Sequence, residues 1–160
     1  MTRAAHVSCT RGMIGGMLEA GEVRKRLRLT IEAAKRDAVA RRAALASEQQ
    51  AFDAFLENHA VPVLRQVASA LKAEGHVFQV LTPAGTARLQ ADREQNDYLE
   101  VVLDGTRGTP TVVGRSSFAR GSQLQTAEQR IGDASALVSD LTDEDVFEWV
   151  LRVILPFVER

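Results

Sequence analysis

Arg28, Lys35 and Arg42 recur at seven-residue intervals in a segment that also carries Arg24, Lys25, Arg26, Arg36 and Arg41. On a helix that interval returns to nearly the same face, so the three cations form a row with a spacing of about 10 Å along one edge. Such a row can follow a phosphate backbone through salt-sensitive electrostatic contact, which makes nucleic acid one candidate partner. The competing reading is a solvated helix face that also pairs with the acidic remainder of a second subunit. No aromatic or glycine-rich reader accompanies the charges, so any nucleic-acid contact is expected to ignore base sequence.

Other residues capable of chemistry are scattered. The segment from Gly114 to Ser122 combines Arg115 and Arg120 with three serines and two glycines, a composition that can grasp an anion or an acidic peptide, and that a mobile strand-to-strand connection explains equally well. Glu100 and Asp104, preceded by Asp92, Glu94 and Asp97, could hold a divalent metal or act as acid and base. Their alternation along a strand instead places Glu100 and Asp104 with Tyr98 on the solvated outer face of a sheet. His6, His59 and His76 fall on different elements without metal-ligand spacing, and they read as terminal or capping residues. Arg11 to Gly16 resembles a phosphate loop only in its glycines, since the preceding strand and the lysine are missing. No motif specifies a reaction, and no catalytic residue, cofactor or metal is expected.

Composition narrows the class. At 160 residues, 45% hydrophobic and 26% charged, the chain can bury a core without staples, as a soluble globular protein does. Its net charge of −1 conceals a dipole: residues 1–44 hold ten Lys/Arg against four Asp/Glu, and residues 45–160 hold ten against seventeen. The lone cysteine, Cys9, excludes an internal disulfide framework and suits a reducing, cytoplasmic setting. No stretch has the apolar length of a membrane span, and no membrane partner is expected.

The elements that position these residues follow from periodicity. Residues 1–16 carry no helical or strand period and read as a flexible leader, with Met13 and Met17 as further candidate starts of translation. Residues 17–59 are expected to form a long helical arm, because neither Gly nor Pro interrupts the sequence between Glu22 and Val61. Along it Leu27, Ile31, Ala34, Ala38, Arg41, Leu45, Glu48, Phe52, Phe55 and His59 make a heptad seam about 50 Å long at 1.5 Å per residue. Leu45, Phe52, Phe55 and Leu56 are expected to anchor its C-terminal part.

Residues 60–160 read as an α+β body. A second helix is expected over 61–74, with Pro62 in its first turn and Gly75 at its end. Strands are expected over 77–81, 86–90, 98–104 and 111–116, and a weakly patterned fifth over 123–130. Thr142 and Asp145 form an acidic capping box for a last helix that is apolar almost all round from Val146 to Val158, a core helix or an interface. The order helix, helix, four or five strands, helix predicts an antiparallel meander with helices on one face.

A solvent-facing stripe as long as this seam calls for a protein partner. The expected role is that of a non-catalytic assembly, adaptor or regulatory protein whose helix pairs with itself, as a homodimer, or with another helical chain, through Leu27, Ile31, Ala34, Ala38, Leu45 and Phe52. A nucleic-acid accessory using the basic helix is the alternative. A small-molecule or hydrolase pocket between sheet and C-terminal helix is a weaker one.

Overall fold

The computed structural model describes residues 19–106 and 109–159; the expected leader, with His6, Cys9 and the Gly12 to Gly16 stretch, lies outside the described residues. The chain divides into two compact units between Ala40 and Arg41. The first consists, among the described residues, of the N-terminal part of helix α1 (Ala20–Phe55). Good helix formers dominate it, and Arg26 Nε donates to Glu22 Oε1 at 2.8 Å, one turn away.

In the second unit α1 continues to Phe55, a five-residue π-helical turn spans Leu56–Ala60, and α2 runs over Val61–Ala73. Pro62 explains the wide turn. Its ring would press on the carbonyl four residues back, and it has no N–H to give. The Val61 N–H instead reaches the Leu56 carbonyl five residues back, and Phe55, Ala60 and Val61 keep helical dihedrals. Proline thus widens the helix without breaking it. α2 closes before Gly75, where the His76 N–H donates to the Leu71 carbonyl at 2.8 Å.

Five antiparallel strands follow in sequence order: β1 (Phe78–Leu81), β2 (Ala87–Ala91), β3 (Tyr98–Asp104), β4 (Thr111–Arg120) and β5 (Gln123–Arg130). Register sets Leu89 opposite Leu99, Leu99 opposite Ser116 and Val101 opposite Gly114. These positions share the face that forms the core with Phe52, Phe55, Leu64 and Val67 from the helices. The expected α+β meander is the fold observed.

β4 is longer than the sequence suggests. The segment expected to be a mobile connection from Gly114 to Ser122 is strand as far as Arg120, because it pairs residue by residue with β5 down to Arg120 opposite Gln123. A two-residue turn, Gly121-Ser122, closes the hairpin, and Gly121 takes the positive φ of 63° that glycine tolerates best. β5 is exposed on both faces over nearly its whole length, which is why its sequence shows no alternation.

The C-terminal helix α3 (Asp143–Val153) begins as its box requires, with the Thr142 N–H donating to Asp145 Oδ2 at 2.8 Å. Only one face of it is buried, through Val146, Trp149, Val150 and Val153. The indole of Trp149 lies directly against Gly114, where a Cβ would overlap its ring atoms. Helix α4 (Leu155–Val158) then brings Phe157 edge-on to Phe78 and Phe118, with centroids 6.4 and 5.6 Å away. No helix among the described residues is long and apolar enough to cross a membrane.

Candidate interaction surfaces

The heptad seam divides into a spent part and a free part. Phe52 and Phe55 are buried in the core of the second unit, and Leu45 meets the turn at Gly105 while remaining 45% exposed. In the first unit Leu27 and Ile31 are 55% and 50% exposed, Val23 and Ala34 are exposed, and Ala38 is half-buried. Taking about 100° per residue, Val23, Leu27, Ile31, Ala34 and Ala38 fall on one face. Arg24, Arg28, Lys35 and Arg42 fall on its flank. These four are exposed, and none joins an ion pair among the described residues, whereas Arg26 is held by Glu22.

Arg115 and Arg120 do not converge. Strand alternation sends them to opposite faces of β4, and Arg115 Nε pairs with Glu128 Oε2 at 3.1 Å across the hairpin. Glu100, expected on a solvated face, is buried. Its Oε1 accepts from Thr86 Oγ1 at 3.1 Å and from Arg88 Nε and Nη2 at 3.2 and 2.9 Å, and the Arg88 guanidinium lies 4.2 Å from the Tyr98 ring centroid. Cross-strand neighbours on the outer face therefore enclose the carboxylate, an outcome that alternation alone does not reveal. Arg88→Met should leave this buried charge half-served and lower stability by about 2 kcal/mol, measured by urea denaturation. An unchanged midpoint would show that water serves Glu100 equally well.

Asp97 and Asp104 have structural partners as well. Asp97 is buried and accepts the Ala119 N–H at 2.7 Å, tying the β2–β3 connection to β4. Asp104 accepts from the Thr106 N–H at 2.9 Å and from its hydroxyl at 2.6 Å, which shapes the turn after β3. Among the described residues no three His, Cys, Asp or Glu side chains converge as a metal-ligand set.

A second surface lies within the second unit, on the helix expected to be core or interface, and the groove it shares with α2 is not foreshadowed by the sequence. Val63, Val67 and Ala70 of α2 and Phe147 of α3 line a groove of about 370 Å³, with Asp143 and Glu144 at its rim. Asp143 is engaged, its Oδ1 lying 2.6 Å from Nδ1 of His59, whose ring stacks on Phe55. From Phe147 an exposed stripe continues through Leu151 and Leu155, 41%, 48% and 57% exposed. The signal for it was the apolar character of this helix all round: a helix packed on one sheet buries one side, so an apolar opposite side remains for something else. The interval between α3 and the sheet, in contrast, is occupied by Trp149 seated on Gly114.

The chain matches no protein-family model, no curated protein and no solved structure.

Proposed function

We propose that the protein is a non-catalytic assembly or regulatory component that self-associates, as a homodimer, through the N-terminal part of α1. The observation that carries this reading is the exposed face of Val23, Leu27 and Ile31, apolar over two helical turns and flanked by cations that make no ion pair among the described residues. Large apolar side chains aligned on one face are a liability for a monomer and an asset in an interface. A reducing, cytoplasmic setting suits the single cysteine.

The test is amine cross-linking of a mixture of isotopically light and heavy full-length chains. Light-to-heavy products are expected through Lys25 or Lys35, the two lysines of this helix. Products confined to single chains, at concentrations where association is complete by scattering, would place the contact elsewhere.

A second reading, nucleic-acid binding, is favoured by one observation: Arg28, Lys35 and Arg42 are exposed and make no ion pair among the described residues. Binding of this kind is indifferent to sequence and falls with salt, with a log–log slope of about −2.7 for three contacts to duplex DNA. Arg28→Ala, Lys35→Ala and Arg42→Ala together should abolish retention on duplex DNA. Retention that survives both the triple change and high salt would have another source.

A further inference from the structure

The groove between α2 and α3 and the exposed N-terminal part of α1 are complementary in shape period and in charge. On α1 the apolar residues Val23, Leu27 and Ile31 stand at four-residue steps, and Arg24 and Arg28 follow the first two on the adjoining flank. Phe147 and Leu151 of α3 and Leu155 at the start of α4 also stand at four-residue steps, and Glu144 and Glu148 of α3 run beside them at the same interval. The two ridges therefore repeat every 6 Å or so, the condition for one set to seat in the grooves of the other. The charges beside them are of opposite sign. Neither Arg24 and Arg28 nor Glu144 and Glu148 make ion pairs among the described residues, so all four are available to a partner.

We infer that the acidic-rimmed apolar groove between α2 and α3, with the Phe147, Leu151 and Leu155 stripe, receives the basic N-terminal part of α1 from a second copy of this chain. The inference rests on the self-association proposed above and names the surface to which that helix docks. Two copies then exchange helices reciprocally, each giving its helix to the other's groove, which makes a closed two-fold interface. Apolar side chains from Val23 to Ile31 cover Phe147 and Leu151, while Arg24 and Arg28 lie against Glu144 and Glu148. Like charges at these positions would oppose the docking strongly, which gives the interface its polarity.

The experiment measures the dimer dissociation constant of full-length variants by sedimentation velocity, with circular dichroism melting to show that each is folded. Glu144→Lys with Glu148→Lys should weaken association on the order of 100-fold, and so should Arg24→Glu with Arg28→Glu. All four changes in one chain should restore association to within about tenfold of the parent, because the charges are exchanged rather than removed. Leu151→Asp, at an exposed site, should weaken association without lowering the melting temperature.

Three results would overturn the inference. If the groove variants associate like the parent while the Arg24 and Arg28 variant dissociates, the helix pairs with another surface, such as its own counterpart; self-association then stands and the groove docking does not. If the four-fold exchange fails to restore association, the charges do not meet. If the parent chain is monomeric, both the docking and the reading beneath it fall.

Discussion

Gly114→Ala should lower the melting temperature by about 6 to 12 °C, an effect out of proportion to one methyl group. The backbone of β4 passes so close to Trp149 that a Cβ at position 114 would overlap Cε2, Cζ2 and Nε1 of the indole. Trp149 is wholly buried, on a helix fixed by Val146, Val150 and Val153, and cannot swing away. Overpacking of this kind costs about 3 kcal/mol, and each kcal/mol shifts the melting of a chain this size by about 2 to 4 °C. Trp149→Ala should cost about 3 to 5 kcal/mol by the opposite route, a cavity. The two changes should not add, because the alanine methyl at 114 has nothing to strike once the indole is gone. Calorimetry of the two single variants and the double variant decides it. Equal melting of Gly114→Ala and the parent would mean that α3 is not held where the structure places it.

The second large effect concerns association and leaves stability alone. Leu27→Asp with Ile31→Asp puts two carboxylates in the middle of the exposed α1 face, and the proposed dimer should dissociate at least about 1,000-fold more readily, since each buried unpaired charge costs several kcal/mol. The main melting transition should stay in place, because the core resides in residues from Phe52 onward. Ile154→Ala, which touches that core, should do the reverse and lower the melting temperature with little change in association. A Leu27 and Ile31 variant that melts far below the parent yet stays associated would invert these assignments.

How much of this was visible in the sequence depends on which physical signal each element carries. Helix α2, strands β1 to β3 and the start of α3 were legible because caps, turns and alternation coincide there, as with Thr142 and Asp145 or the buried Leu99 and Val101. The sequence signal for β4 ends at Ser116, because Arg120, Gly121 and Ser122 have the composition of a loop. Pairing with β5 across the hairpin, together with the Ala119 N–H bond to Asp97 before β3, holds that stretch extended. β5 itself was faint because a strand exposed on both faces has no reason to alternate.

The surfaces were legible in part. The seam from Leu27 could be read as a stripe, but which of its residues are spent on the core, Phe52 and Phe55, and which remain exposed is settled by packing. Glu100 follows the alternation rule and is nonetheless enclosed, by Arg88 and Thr86, because side chains beside its strand reach across a face that period alone calls solvated. The groove between α2 and α3 belongs to neither helix by itself, so no local pattern could announce it. Its trace was the surplus of apolar residues on α3.

Self-association is tested most directly by sedimentation equilibrium of the unmodified full-length chain from about 1 to 200 μM, the range in which biological interfaces of modest affinity titrate. The apparent mass should rise with concentration from the 17.5 kDa of one chain toward twice that value and stop there. A mass that stays at 17.5 kDa throughout would contradict self-association.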